Sequence, residues 1–258
     1  MNRYILLSFD IEEFDIPEEY GQKIDNQVKF DISRQGLEAI LNILHKHDIN
    51  ATFFITANFA LHHKSLIQEI AKNHEIASHG FYHSGFNIED LKKSRLVLES
   101  MIANRVFGFR MPRLKQVDDR VIASAGYDYN SSMNPTYIPG RYNNFCKPRT
   151  AYYSHNLLNI PVSVTPLIRF PLFWLSFKNF PLWLMKIASL ITLRHDKYIN
   201  LYFHPWEFTD IRAFKLPGYI KNKSGKVMLE RLENYIIWLK RQGKFICFKE
   251  LPEKVKIN

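Results

Sequence analysis

The chain has 258 residues, 46% of them apolar and 14% aromatic, with a formal net charge of +10. That length and apolar content suit one α/β domain with a substantial core, and they exclude a mini-protein or a disordered chain. The lysines and arginines are spread along the sequence without a nucleic-acid-binding motif. They read as a basic surface suited to an anionic glycan or phospholipid, with no nucleic-acid partner.

Period analysis predicts strands and helices in alternation. "RYILLSF" (3–9) is a short buried strand, followed by a helix over 33–48 with Ser33 as its N-cap. "ATFFITANF" (51–59) is the second strand, 63–74 the next helix, and "EIAS" (75–78) the third strand. A helix opened by Asn87 covers 87–104, "VFGF" (106–109) is a strand, and 117–126 is a helix. A short segment near "YDYNSS", the strand 156–164 and a helix around 180–194 come next. "KYINLYF" (197–203), a helix over 225–243 and the strand "KFICFKEL" (244–251) close the pattern. Parallel neighbours need crossovers, so seven or eight βα units predict a single domain over 1–258 with a (β/α) barrel or a distorted relative. A doubly wound open sheet is the alternative.

The N-terminal run "MNRYILLSFDIEEF" meets acids too soon for a signal peptide, and Cys146 and Cys247 lack metal-like spacing. Both point to reduced thiols in a cytoplasmic protein. The most apolar stretch, 170–193, is broken by Pro171, Lys178, Pro181 and Lys186. A spanning helix needs about 20 uninterrupted apolar residues. The stretch is therefore expected to pack on the protein, with peripheral contact at the inner face of the membrane as a further expectation.

Polar residues gather at strand ends. Asp10, Glu12 and Glu13 end the first strand, His79 and His83 follow the third, Arg110 follows the fourth, and His204 and Glu207 end a late one. In a parallel barrel all these positions lie on the C-terminal rim, where catalytic residues gather. His45, His47, His62, His63, His74, His155 and His195 sit at helix ends or in polar loops and read as surface residues. The i, i+4 spacing of His79 and His83 lets both face one metal ion. Two imidazoles and one carboxylate leave positions open on zinc for water and a substrate oxygen. A second carboxylate can act as base, a histidine across the site as acid, and an arginine can orient the base. Asp10 and Glu12 stand two apart on an extended segment and so share a side, opposite Ile11 and Glu13.

In this arrangement the chain resembles the polysaccharide deacetylase family, the NodB-homology or carbohydrate esterase family 4 group, in its branch associated with bacterial exopolysaccharide and surface-glycan clusters. "SFDIEE", "SHGFYH", "FRMP", "YNSS" and "YFHPWEF" resemble its five motifs in order. The resemblance implies a distorted (β/α)7-type barrel and metal-dependent removal of N- or O-acetyl groups from a sugar, with zinc as the expected ion. It implies Asp10 as base, His204 as acid and Arg110 as the residue orienting Asp10. It implies His79 and His83 as metal ligands, and places Pro112, Trp206 and Asn130 in motifs toward the substrate. An acetylated glycan or lipid-linked oligosaccharide is the implied substrate.

Two positions depart from the family pattern. Ile11 stands where the metal-binding aspartate is usual, so Glu12 is the expected replacement and Glu13 the second choice. Asn130 stands where an aspartate is usual and cannot support a protonated histidine by charge. Two other readings follow: a glycan-binding relative with an impaired site, or a hydrolase of another C–N amide bond, such as that of a cyclic ureide.

Overall fold

Strand β1 (Tyr4–Ile11) is buried along its whole length in a computed structural model that describes residues 2–257. Helix α1 (Asn26–Lys46), β2 (Thr52–Ile55), helices α2 (Ala57–His62) and α3 (Lys64–Ile70), and β3 (Glu75–Ser78) come next. Then follow α4 (Glu89–Ile102), β4 (Gly108–Phe109), α5 (Asp119–Ser124) and β5 (Tyr129–Asn130). A small hairpin, β6 (Tyr137–Ile138) and β7 (Tyr142–Asn143), precedes β8 (Tyr152–Ser154) and β9 (Leu157–Asn159). Helices α6 (Trp174–Asn179) and α7 (Leu182–Asp196) lead to β10 (Tyr198–Phe203). The chain ends with α8 (Gly218–Lys221), α9 (Lys226–Lys240), β11 (Lys244–Phe245) and α10 (Leu251–Lys254).

The main sheet runs β10-β1-β2-β3-β4-β5-β9-β8, with β11 paired to the first residues of β1. Every pairing in it is parallel except β8 with β9. The sheet curls so far that the chain beyond β9 meets β10: Ser163 N donates to Asn200 O at 3.1 Å, and Asn200 N to Ser163 Oγ at 2.8 Å. The fold is thus a (β/α)7-type barrel, in one α/β domain.

Alternation along β1 divides the core. Ile5, Leu7, Phe9 and Ile11 pack outward with Leu37, Ile40 and Phe53, whereas Tyr4 and Leu6 point inward with Phe54, Tyr129 and Phe248. Ser8 and Asp10 continue the inner side, so the upper interior is polar. Register then fixes the rim. Phe9 pairs with Phe203, which sets Asp10 beside His204. Ile11, Ile55, Ser78, Phe109 and Asn130 form one row across neighbouring strands. The next residue of each strand, Glu12, Thr56, His79, Arg110 and Ser131, opens the row above.

Several predicted elements shift. Helix α1 starts at Asn26, where Asp25 accepts from Gln27 N, and Ser33 lies buried inside it. The second strand ends at Ile55, because Thr56 accepts from Phe59 N and starts α2. The predicted strand 244–251 keeps only its first two residues: Glu250 Oε2 accepts from Cys247 N and closes a turn into α10. Strands β6, β7 and β8 are too short for a period to reveal. No helix among the described residues is long and apolar enough to cross a membrane.

Candidate active site

Glu12 leaves β1 on the same side as Asp10 and sits between the two histidines. Its Oε2 lies 3.1 Å from His79 Nε2 and 3.0 Å from His83 Nε2, and its Oε1 accepts from Trp206 Nε1 at 3.1 Å. His79 follows β3 directly. Gly80 next to it has φ +80, a left-handed turn that favours glycine and turns the chain back so that His83 reaches the same carboxylate. The ligand atoms of Glu12, His79 and His83 all lie within 4.8 Å of one another, and all three residues are buried.

The rings are fixed from behind. His79 Nδ1 donates to Arg110 O at 2.9 Å, and His83 Nδ1 to Asp15 Oδ1 at 2.7 Å. Asp15 also accepts from Ser84 Oγ, and Arg113 approaches it at 3.6 Å. With both Nδ1 protons committed, the two Nε2 atoms turn toward one carboxylate oxygen, and neutral imidazoles would meet it with lone pairs. A cation resolves that convergence. The donor set, its buried setting and its hydrogen-bonded backing fit a divalent ion.

The charges respond to one another. Burial raises the Glu12 carboxyl, but His83, His204 and His79 outweigh it and hold the group well below the usual carboxylate range. Burial lowers His83, yet Glu12 and the hydrogen bond to Asp15 bring it above its ordinary value. Asp15 is likewise lowered, its burial offset by the hydrogen bond and charge of His83.

Arg110 crosses the inside of the barrel. Its Nη1 donates to Asp10 Oδ1 at 2.6 Å and to Ser8 Oγ at 2.9 Å, and its other nitrogens reach Ser131 O and Oγ, both at 3.0 Å. The guanidinium lies over the Phe54 ring at 3.9 Å and the Tyr202 ring at 5.1 Å. A buried, fully bonded arginine of this kind fixes the carboxylate it touches. Asp10 keeps its second oxygen without a hydrogen bond among the described residues.

His204 is shaped by its own segment. Pro205 starts a 3-10 turn, and Glu207, its third residue, accepts from His204 N at 2.9 Å and from the ring Nδ1 at 3.2 Å. The turn packs on α1 at Gly36, where a Cβ would meet Pro205 O at 1.8 Å. The His204 ring stacks on Trp206 at 4.9 Å and meets Trp174 edge-on at 5.2 Å. Burial lowers its pKa, but Glu12 and then Glu207 raise it above the ordinary histidine value. Lys178 of α6, fully buried, lies 3.3 Å from Glu207 Oε2 but donates to Ile220 O at 2.8 Å. Glu207 Oε2 therefore has charge opposite it without a hydrogen bond.

Asp10, Glu12, His79, His83, Trp206 and His204 all line one cavity of about 270 Å³. Phe173, Trp174 and Tyr202 form an aromatic wall, and Ile138, Pro139, Arg141 and Tyr142 of the β6–β7 hairpin overhang it. Tyr20 and Tyr219 meet at 3.3 Å between their hydroxyls, and Tyr219 also lines the cavity.

Glu13 takes the side that alternation predicts, and two residues, Asn130 and Pro112, are placed differently from expectation. Glu13 turns away, as strand alternation requires, and binds Thr56 Oγ1 and Asn58 Nδ2 outside the cavity. Asn130 does not face the cavity: its amide donates to Asn159 Oδ1 at 3.1 Å in a neighbouring pocket with Asp119 and Ser132. Pro112 is buried in the turn after Arg110, beside Gly80, and does not line the cavity either. The support for His204 comes from Glu207, three residues on, and not from the end of β5. Asp15 and Lys178 carry no periodic signal, because one lies in a loop and the other in a segment read as apolar.

Taken together, the barrel and its rim site define a (β/α)7-type hydrolase-like scaffold. Residues 4–130 match the family model for polysaccharide deacetylase, so this part of the chain is a polysaccharide deacetylase domain of the NodB-homology or carbohydrate esterase family 4 group. The fold is similar to a Mycobacterium smegmatis structure described as a polysaccharide deacetylase (16% identity, TM-score 0.66, covering 100% of this chain and 93% of that one). It is also similar to an allantoinase (15% identity, TM-score 0.64, 96% and 88%). A carbohydrate esterase family 4 pseudoenzyme from Bacillus anthracis matches at 16% identity and a TM-score of 0.53, over 97% of this chain and 65% of that one. No curated protein matches the sequence.

Proposed function

We propose that the chain is a divalent-metal-dependent hydrolase that removes an acetyl group from a sugar of a bacterial surface or secreted glycan, or of its precursor. The observation that carries this reading is the convergence of Glu12, His79 and His83 between two polar pairs, Asp10–Arg110 and His204–Glu207, in one cavity. Zinc suits two imidazoles and a carboxylate best. When bound, such an ion supplies Lewis acidity that polarises the acyl carbonyl and makes water acidic enough to react.

The chain's own residues do the rest. Asp10, oriented by Arg110, takes the proton of the attacking water through its unbonded oxygen. His204 is backed by Glu207, whose carboxylate accepts from its Nδ1 and favours the protonated ring. The ring gives its proton to the leaving nitrogen as the C–N bond breaks, so the products are acetate and a free amine. Trp174, in the cavity wall, offers an aromatic surface against which a sugar ring can pack. The cavity holds about one such ring, which favours a terminal or precursor sugar, as in a lipid-linked oligosaccharide at the inner face of the membrane. The test is acetate release from acetylated chito-oligosaccharides and lipid-linked glycans by the zinc-loaded protein. Release that disappears in Asp10→Asn supports the reading; absence of release from every acetylated glycan defeats it.

The hairpin over the cavity gives one observation for a second reading, a small cyclic amide as substrate. Hydrolysis of a cyclic ureide with no acetate release from any glycan would favour it.

A further inference from the structure

Between Asp128 and Asp196 the sequence contains no aspartate or glutamate. Arg141, Lys147, Arg169, Lys186 and Arg194 lie in that stretch, and none of them pairs with a carboxylate among the described residues. The same stretch carries several of the most exposed large apolar side chains among the described residues. On α7, Trp183, Ile187 and Ile191 follow one another at intervals of four, so they share a face, and they are 62%, 50% and 49% exposed. Met185, Ala188, Ser189, Thr192 and Leu193 bury the opposite face. In the preceding loop Leu167 and Ile168 are 91% and 76% exposed. The loop is tied to the residues that lead into α7 where the Phe170 ring meets Phe180, two residues before the helix, edge-on at 5.1 Å.

A folded chain rarely leaves such a patch without a partner. Charge decides which one. A second copy would bring like-charged side chains together across a self-complementary contact, whereas an anionic bilayer attracts arginine and lysine beside inserted apolar groups. The patch also adjoins the cavity. Phe173 and, in α6, Trp174 and Leu175 line it, and Asn179 at the end of α6, three residues before α7, donates from Nδ2 to the carbonyl of Tyr219, another lining residue.

We propose that α7 and the 165–170 loop seat on an anionic phospholipid bilayer, so that the cavity opens toward a glycan carried on a lipid in that membrane. The orientation toward substrate rests on the deacetylase reading; the seating on the bilayer does not.

The test is co-sedimentation of the full chain with phosphatidylglycerol-containing vesicles and with pure phosphatidylcholine vesicles, followed also by tryptophan emission. The expected result is binding to the anionic vesicles that weakens with salt, and a blue shift that Trp183→Phe removes. Ile187→Glu/Ile191→Glu should abolish binding. Lys186→Gln/Arg194→Gln, which remove a half-buried cation near the Trp238 ring and an exposed one outside the core, should weaken it about 25-fold, at about fivefold per cation. His79→Ala should bind vesicles as the unaltered chain does, whatever its effect on acetate release. The proposal is overturned if the anionic vesicles are not bound at low salt, or if both double variants bind normally. It is equally overturned if the Ile187→Glu/Ile191→Glu pair splits a dimer without changing vesicle binding.

Discussion

Residues 4–130 and residues 131–208 both reach the cavity, but they build it in different ways. The first part supplies Asp10, Glu12, His79, His83 and Arg110 from the ends of consecutive parallel strands, each held by hydrogen bonds from behind. The second supplies the aromatic wall, the overhanging hairpin and His204, held by short local turns. It is also the part with almost no acids and with the exposed apolar face. Most of the polar site and most of the aromatic wall are thus divided between the two parts, with His204 the one catalytic group from the second, and the family match covers the first.

The largest effect should follow from breaking the buried frame of the first part. Arg110→Met would leave Asp10 charged and unpaired inside the barrel, costing about 3–5 kcal/mol. A lower midpoint in urea unfolding checks this, and a midpoint near that of the unaltered protein would show that the frame is not rigid. Asp15→Asn probes the same half more gently. It weakens the acceptor that orients His83, and zinc affinity should fall about 10–100-fold by competition with a chelator.

The local support of the second part should be weaker. Glu207→Gln removes a charge that raises His204, so the histidine loses its proton at lower pH. Activity requiring His204 as acid is present below that pKa and lost above it; the falling limb of the pH profile should therefore move to lower pH, with about a tenfold loss of rate. An unmoved limb would place the support of His204 elsewhere.

The smallest effect should lie outside both halves of the rim. Burial lowers His74 from 6.5 to about 4, and its Nδ1 accepts from Ala51 N at 3.3 Å. The folded chain thus binds fewer protons there than the unfolded one, and stability present above pH 6.5 falls as pH drops toward 4. His74→Gln should flatten this slope by about 1–2 kcal/mol, discounted for the ring's partial exposure. Unfolding midpoints across that window measure it.

The contrast also explains what the sequence made legible. Strand alternation set Asp10 and Glu12 on one side and Glu13 on the other, and apolar runs ending in polar residues marked β1, β3 and β10. Periodicity was silent on Asp15, Lys178 and the β6–β7 hairpin, because loops and two-residue strands carry no period. Asn130 drew attention through its motif, yet only the barrel's curvature shows that it faces a neighbouring pocket. The role of Glu207 depends on a turn of four residues, where hydrogen bonds decide rather than hydrophobic pattern. The apolar 170–193 stretch was visible as composition, but which of its side chains remain exposed is a property of packing.

The central claim is that Glu12, displaced by one residue from the family's usual position, completes a metal site with His79 and His83. Elemental analysis of the purified protein and of Glu12→Gln, both equilibrated with zinc and then desalted, tests it directly. The account predicts one zinc ion per chain in the first and little in the second. Zinc retained equally by both, or held by neither, would contradict it.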